Sequence, residues 1–346
     1  MDLTPTDEQV QLLDAYDRLF ADHANPDRVR AAEPVGFDKA LWEQLLGTGA
    51  IDMAVPEGAG GWGASAVDLV LVAERFGRWV APAPLIEAQV AARLLARLDT
   101  PAAAELLANV LAGRLVTIAP HRPRRGVARL VPGGAVADEV IVFDGTRLLR
   151  VAGHGTHVEN LGAMPVADLT VGDDAAVLGE GDAARAAFDQ AWDDALLLHA
   201  AALVGMGARA LELGAGYATE RHAFGVPIGS FQAVAHPLAD SAAALDGARL
   251  LTWKAAWAQA EQPERAAELA AMAFGFAARS TFDATYRSLH VHGGYGFMNE
   301  YDVQLYYRRA RAWSGAWASP DGAFVRCGRK RYAGTLAGLT GTEVAR

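Results

Sequence analysis

The sequence predicts a mainly α-helical protein with a small β domain between two helical parts. Apolar residues recur at helical spacing in the first third, short β-rich segments separated by turn residues follow, and long Ala-rich helical stretches resume at Gly181. The length of 346 residues exceeds one average domain, and a hydrophobic content of 52% supplies a core and argues against intrinsic disorder. We therefore expect an N-terminal helical domain (1–115), a middle β domain (116–180) and a C-terminal helical domain (181–346).

The first domain opens with a predicted helix cap. Thr6 and Gln9 form the Thr-x-x-Gln pattern of a capping box, and the apolar residues that follow share one helix face. Residues 54–63, rich in Gly, predict a loop, and residues 66–76 predict another helix. The apolar face of the first helix consists of Val10, Leu13, Tyr16 and Phe20.

The middle and last domains differ in the period of their apolar residues. Strands bounded by Gly, Pro and Asp predict an antiparallel β domain, whereas the last domain shows the longer helical period. The predicted strands are 116–119, 139–143, 148–151 and 168–171. The predicted helices are 183–220, 233–260, 263–292 and 302–313.

Composition narrows the classes of function. The formal charge of −10 argues against nucleic acid as a partner, because polyanions favour basic surfaces. Cys327 is the only cysteine, which excludes an intrachain disulfide and a thiolate zinc site. The acidic N-terminus lacks the features of a secretory signal, and no uninterrupted apolar run reaches the ~20 residues of a membrane span. We expect a cytoplasmic protein without a membrane span.

The most informative stretch is 220–234, Glu-Arg-His-Ala-Phe-Gly-Val-Pro-Ile-Gly-Ser-Phe-Gln-Ala-Val. Gly225 followed by Val-Pro predicts the end of a helix, so Arg221 has a plain structural explanation as a partner of the last helix carbonyls. The spacing of Arg221, Phe231 and Gln232 goes beyond what a helix end requires. A guanidinium group offers a planar fork to phosphate, an aromatic ring supports a cofactor, and an amide supplies oriented hydrogen bonds.

A second stretch, His-Val-His-Gly-Gly-Tyr-Gly-Phe at 290–297, predicts a glycine-rich turn between two helices. A Gly-Gly-x-Gly run alone is a weak signal, but Glu-Tyr-Asp at 300–302 and Leu-Tyr-Tyr-Arg-Arg-Ala at 305–310 follow it. His290 and His292 lack acidic or thiol neighbours in the sequence, so we predict no metal site.

Together the two stretches resemble the C-terminal sequences of the acyl-CoA dehydrogenase family, the FAD enzymes that desaturate acyl-CoA thioesters. The resemblance implies an α-β-α arrangement whose C-terminal four-helix bundle holds FAD contacts and oligomerises. It implies that Arg221 pairs with the FAD pyrophosphate. It also implies that the turn at Gly293 and Gly294 receives the adenine end of an FAD held mainly by the adjacent subunit. The remaining implied cofactor-binding residues are Phe224, Phe231, Gln232 and His290, the last standing where many members have Gln.

The resemblance is incomplete where the chemistry takes place. Desaturation requires a carboxylate that removes the acyl α-proton while hydride leaves for the flavin. Register from Arg308 and Arg309 places Trp317 where most members have this Glu, and Asp321 lies too far along the chain. The middle domain looks shortened and lacks the family's flavin-binding loop and strand. Its basic residues 122–125 are expected to form a solvated loop or to meet coenzyme A phosphates.

Other family members place the Glu on the first long helix of the last domain, at a position that corresponds to Ala195. The neighbouring Asp193 and Asp194 are the only fallback catalytic candidates, although a shift of one residue rotates a side chain by ~100° around a helix. A place near the helix start, where carboxylates favour the helix dipole, explains both residues without catalysis.

Three interpretations stay open at this point. In the first, the chain is one subunit of a heteromeric acyl-CoA dehydrogenase, an α2β2 assembly acting on a steroid side-chain or branched acyl-CoA, whose homologous partner supplies the catalytic Glu. In the second, it is a self-sufficient homo-oligomer that uses Asp193 or Asp194 as base. In the third, it is a structural or regulatory subunit without flavin. For either enzyme the resemblance implies an electron acceptor such as an electron-transfer flavoprotein.

Overall fold

The computed structural model describes residues 4–333 and begins with a helical domain. The Thr6 side chain accepts from the Gln9 backbone N–H and the Gln9 side chain accepts from the Thr6 N–H, so the predicted capping box is confirmed. Tyr16 and Phe20 are buried in the core, whereas Val10 on the same predicted face is exposed. The helices are α1 (Asp7–His23), α2 (Pro26–Ala32), α3 (Lys39–Gly47), α4 (Ala66–Arg78), α5 (Leu85–Leu95) and α6 (Pro101–Leu111).

The middle domain contains two sheets. Its strands are β1 (Val116–Ile118), β2 (Val127–Val131), β3 (Glu139–Phe143), β4 (Arg147–Ala152), β5 (Thr156–His157), β6 (Ala167–Thr170) and β7 (Ala176–Glu180). One sheet has the order β1-β3-β4-β7 and the other the order β2-β6-β5. β1 and β3 are parallel, with Val116 opposite Glu139, so the expectation of a purely antiparallel domain is wrong. The chain passes through β2 in the other sheet between them, and this crossover brings β3 back in the same direction.

The last domain is a bundle built on three long helices, α7 (Gly181–Glu220), α8 (Gln232–Glu261) and α9 (Pro263–Val291). α9 lies at its centre, because it packs on α7, α8, α10 (Val303–Ala316) and α11 (Pro320–Arg331). The prediction of four helices after the middle domain is confirmed, and no helix end differs from its predicted position by more than three residues.

α11 is a helix that the sequence pattern did not predict. Its composition is polar, with three basic residues in its last turn, and only Ala323 and Cys327 are buried. The side chain of Ser319 accepts from the Gly322 N–H and so caps the helix, and Pro320 at its first position has a preset φ.

α7 joins the first and last domains into one core. At its crossing with α4, a Cβ atom on Gly77 would lie 1.8 Å from the carbonyl oxygen of Ala202, and one on Gly205 would lie 1.9 Å from that of Glu74. Of the described helices, α7 alone is long and apolar enough to cross a membrane by length and composition. Its most apolar window is 72% buried inside the protein, as in the core helix of a bundle.

Candidate cofactor-binding site

α7 ends one residue before Arg221. The backbone N–H of Arg221 donates to the carbonyl of Tyr217, which is the last helical hydrogen bond of α7. Within residues 4–333 the exposed guanidinium group of Arg221 forms no hydrogen bond or ion pair. The side chain therefore does not cap the carbonyls of its own helix. A cation left without an internal partner at an exposed helix end is available to an external anion.

A tight hairpin follows Arg221 and presents an aromatic side chain to solvent. β8 (His222–Ala223) and β9 (Val226–Pro227) pair around Phe224 and Gly225, whose φ angles are 54° and 85°. Two successive positive φ angles are typical of a type I′ turn. Gly225 thus serves the hairpin and does not end the helix, which corrects the sequence-based prediction. Phe224 is 95% exposed.

Two further residues of this stretch stand beside the hairpin. Phe231 lies edge-on to Phe224, with ring centroids 6.2 Å apart, and Gln232 is the exposed first residue of α8. The stretch therefore places one guanidinium, two aromatic rings and one amide on an outward-facing surface. These are the groups that bind the phosphate and aromatic parts of a nucleotide.

The glycine-rich turn begins where α9 ends. Gly293 has a φ of 60°, and a Cβ atom on either Gly293 or Gly294 would have no other atom within 4 Å. The backbone here is open to close approach by an external group. His290 is exposed on the last turn of α9, with its ring 6.2 Å from that of Tyr286.

The fold brings the two stretches to the same end of the bundle. The ring of His292, which precedes Gly293, stacks on that of Tyr217 at 4.3 Å, one helical turn before Arg221. His292 is buried, and its Nδ1 lies 2.7 Å from the carbonyl oxygen of Ser288. This packing fixes the turn against the end of α7, so the open glycine backbone and the Arg221 stretch form one surface.

The position that register assigns to a catalytic Glu is filled by an indole. Trp317 is fully buried, with its ring edge-on to Trp192 at 5.9 Å and tilted against His199 at 6.2 Å. An indole has no basic atom with which to accept an α-proton. Asp321, next along the chain, is 83% exposed and pairs with Arg279.

A buried pair that the sequence did not indicate lies next to this tryptophan. His199 Nε2 is 3.3 Å from Glu87 Oε1 without the alignment of a hydrogen bond, and neither ring nitrogen of His199 has a hydrogen-bond partner among the described residues. Both side chains line a cavity of about 30 Å³, which has room for one or two water molecules but not for an acyl chain. In the sequence each of the two residues stands alone in an apolar run, Leu-Ile-Glu-Ala in the case of Glu87. A single polar residue in such a run could have indicated that both side chains are buried.

Asp194, the first fallback base, is enclosed by partners. Its carboxylate accepts from Arg93 at 2.9 Å, from Arg97, and from the Gln259 amide at 3.0 Å. Burial acts to raise its pKa, but the two guanidinium groups outweigh burial and hold the pKa below its usual range. The carboxylate is thus a neutralised structural anion.

Asp193, the second fallback base, is also ion-paired. Arg326 on α11 donates to it at 2.8 Å, and Lys330 Nζ lies 3.6 Å away. Burial raises its pKa, against the opposing effect of both cations. Asp193 and Asp194 lie more than three turns inside α7, too far from its N-terminus for the expected interaction with the helix dipole. Their ion pairs also mean that neither carboxylate is a free base. Their ion pairs and hydrogen bonds connect α7 to α5, α8 and α11.

Comparison with known proteins agrees with this geometry. The family model for the acyl-CoA dehydrogenase N-terminal domain matches residues 6–113, and the model for the C-terminal domain matches residues 183–315. The chain is 32% identical over 325 residues to acyl-CoA dehydrogenase IpdE2 of Mycobacterium tuberculosis, covering 92% of this chain and 95% of the relative.

Solved structures share the fold along nearly the whole chain. A chain of the ChsE4-ChsE5 complex from Mycobacterium tuberculosis has a TM-score of 0.85 at 28% identity, covering 95% of this chain and 98% of that one. A chain of the Tcur3481-Tcur3483 steroid ACAD variant has a TM-score of 0.84 at 29% identity, covering 95% and 99%. The predicted fold class is confirmed. The chain belongs to the acyl-CoA dehydrogenase family of FAD-dependent oxidoreductases.

Proposed function

We propose that this chain is one subunit of a heteromeric acyl-CoA dehydrogenase. In this proposal it supplies contacts to the pyrophosphate and adenosine of an FAD, while a homologous partner holds the flavin ring and supplies the catalytic Glu and the acyl pocket. The observation on which the proposal depends is the exposed, unpaired guanidinium of Arg221 beside an open glycine turn.

The nucleotide end of the cofactor fits the groups on this surface. Arg221 offers a bidentate fork to the pyrophosphate, since its guanidinium group forms no ion pair with a carboxylate of the described residues. Phe224 and Phe231 present ring faces and edges to the adenosine, and Gln232 adds an oriented amide. The turn at Gly293 and Gly294 has room for backbone contact, because no atom occupies the space where Cβ atoms would stand.

The catalytic base and the acyl pocket are assigned to the partner because this chain lacks a suitable carboxylate at either expected position. When bound, FAD accepts the hydride that leaves the acyl β-carbon, and the α-proton then needs a carboxylate base. In this chain Trp317 stands at the assigned position, and Asp193 and Asp194 are held in ion pairs. The adjoining cavity is too small for an acyl chain. These three features support a partner-supplied base over a self-sufficient homo-oligomer.

The partner itself is supported by exposed apolar side chains around the nucleotide surface. Phe297 and Met298 of the glycine-rich stretch are exposed, as are Phe224 and Phe231 of the hairpin stretch. Apolar groups clustered in this way are typical of an interface with another protein. Among similar solved structures, two are named as pairs of different chains, and one of these is described as a steroid ACAD. We extend both features to this chain and propose a bulky, steroid-like or branched acyl-CoA as substrate.

Co-expression tests the proposal. This chain is produced alone and together with a family member that carries the Glu and the flavin-binding loop. We expect a flavin-loaded α2β2 species only in the second case, seen as visible flavin absorbance that co-elutes with both chains in gel filtration, and acyl-CoA turnover with an artificial electron acceptor. Full flavin loading and full activity of the chain alone would contradict the proposal. An active complex lacking flavin contacts from this chain would favour a structural subunit.

A further inference from the structure

All three domains meet at the small cavity beside Glu87 and His199. Glu87 comes from α5 of the first domain and His199 from α7 of the last, and Gly133 and Met164 of the middle domain also line the cavity. A third polar residue, Arg309 of α10, lines it as well. Glu87, His199 and Arg309 are 5%, 2% and 2% exposed, so three deeply buried polar side chains share one internal space.

The polar atoms around this cavity have few partners among the described residues. Neither ring nitrogen of His199 has a hydrogen-bond partner, and the Glu87 carboxylate has only the unaligned approach of that imidazole at 3.3 Å. Arg309 donates through a single nitrogen, Nη1, to Glu33 at 3.3 Å and to the carbonyl of Leu305 at 3.4 Å, and both distances are long. Buried polar groups in folded proteins are almost always hydrogen-bonded, so these groups require a partner from outside the chain.

The charges in this region also indicate a link between Glu87 and Arg309. Arg308 and Arg309 both pair with the one carboxylate of Glu33. Burial lowers the pKa of Arg309 to about 10 against the opposing effect of Glu33, so this shared carboxylate does not offset the loss of water around the guanidinium group. Glu87 forms no ion pair with an Arg or Lys of the described residues. A buried carboxylate and a poorly compensated cation therefore line the same cavity.

We propose that ordered water in this cavity joins Glu87 to Arg309 and makes Glu87 the second counter-charge of that guanidinium group. Water suits both ends, because it accepts from a guanidinium group, which only donates, and donates to a carboxylate, which only accepts. The volume admits one or two water molecules, and a buried water needs about two to four polar partners, which the three side chains supply. A small anion would be repelled by Glu87 and a small cation by Arg309.

This water-mediated network connects α10 to helices of the first and last domains. Arg309 belongs to the stretch at 305–310 that follows the glycine-rich turn, and its link to Glu87 fixes α10 against α5 and α7. Trp317, directly after α10, packs against His199 of the same network at 6.2 Å. The network therefore positions the residue that stands where the sequence register expects a catalytic Glu. None of its members belongs to the Arg221 surface.

X-ray hydroxyl-radical labelling, read by mass spectrometry, tests for the water, because radicals formed from bound water oxidise the side chains in contact with it. Trp313 lines the cavity at 7% exposure, and Trp42 in the first domain, at 6%, is the matched control. In the assembly in which the protein purifies, we expect Trp313 to be labelled several-fold faster than Trp42. Equal labelling of the two indoles in the unaltered protein would overturn the proposal without any variant having to fold.

Two variants separate the water from the charge. Glu87→Leu with His199→Leu makes two walls of the cavity apolar, and the faster labelling of Trp313 should be lost, because apolar cavities stay dry. Glu87→Gln keeps a hydrogen-bonding side chain of the same size, so the faster labelling should persist. Labelling of Trp313 that stays fast in the double variant would mean that the water is held elsewhere, and the proposal would be wrong.

A double-substitution cycle tests the counter-charge. We expect Glu87→Gln and Arg309→Gln each to lower the midpoint of thermal unfolding, and the two together to lower it by less than the sum, because each single variant leaves the other charge uncompensated. The control joins Arg309→Gln to Glu268→Gln, which removes a buried carboxylate of α9 whose partners are Arg265 and Arg331. The shifts of this control pair should add. Shifts that also add for Glu87 and Arg309 would overturn the water-mediated link.

Discussion

At the scale of single residues, Arg221 offers the most direct test of the proposed contact between this chain and FAD. We expect Arg221→Ala to give a folded, assembled complex that purifies largely without flavin, because the phosphate charge is left uncompensated at a cost of roughly 2–5 kcal/mol. Arg221→Lys should recover only part of the occupancy, since an ammonium group lacks the planar fork. The ratio of flavin to protein absorbance in the purified complex measures the effect.

Asp321→Ala is the control for this measurement. Its carboxylate is exposed and pairs with Arg279 on the surface of α11, so flavin content should not change. Full flavin occupancy in Arg221→Ala would show that the role given to this residue is wrong.

Asp194 is expected to act on stability and not on catalysis. Asp194→Ala leaves Arg93 and Arg97 without a buried counter-charge, and we expect the free energy of unfolding to fall by about 3–5 kcal/mol, measured by urea denaturation. Turnover per folded complex should persist in Asp193→Asn and Asp194→Asn. A folded Asp194→Asn protein without any turnover would instead support the homo-oligomer that uses this base.

The same ion pairs predict the direction of a pH effect. The folded-state pKa of Asp194 lies below that of the unfolded chain, so the unfolded state takes up the proton first as the pH falls. Its contribution to stability is therefore complete above about pH 5 and is lost as the pH falls below about 4. Urea unfolding of the unaltered protein and of Asp194→Asn at several pH values should show a weaker acid dependence in the variant.

At the scale of elements, the crossing of α4 and α7 depends on the absence of two side chains. A methyl group on Gly205 would meet the carbonyl oxygen of Glu74, which is backbone and cannot move aside, so the helices must separate. We expect Gly205→Ala to lower the free energy of unfolding by about 1–3 kcal/mol or more. Gly216→Ala in the same helix meets no atom within 4 Å and should raise it by about 0.5–1 kcal/mol. Equal effects of the two changes would contradict this account of the crossing.

The elements that the sequence predicted are those whose composition favours one kind of structure over their whole length. The helices after the middle domain are rich in helix-forming residues, and the strand at 139–143 holds three consecutive β-branched residues; the structure confirms these elements. β5 is two residues long and β7 alternates poorly, so neither has a period to detect. α11 is set by a cap and by ion pairs from Arg326 and Arg331 to other helices, which is information that lies outside its own sequence.

At the scale of the whole molecule, the features around the proposed site also fall into those that a local sequence pattern indicates and those that only the fold brings together. The residues of the proposed cofactor surface could be named from the sequence because they follow one another within two short stretches, which the structure brings to the same end of the bundle. The pairs Glu87–His199 and Arg93–Asp194 join α5 to α7, which are far apart in the sequence, and no local pattern connects them. Residues 334–346, part of the predicted last domain, lie outside the described structure.

The number of cofactors per assembly follows from the proposed division of the site between two chains. Each FAD needs one surface for its nucleotide end and one pocket for its flavin ring, and this chain is proposed to supply only the first. One chain and its partner then complete one site, so an α2β2 complex should hold one FAD for each pair of chains. Flavin released by denaturation, divided by the amount of complex from light scattering, measures this ratio. A ratio of two FAD per pair would mean that this chain also holds a flavin ring, and the division of labour proposed here would be wrong.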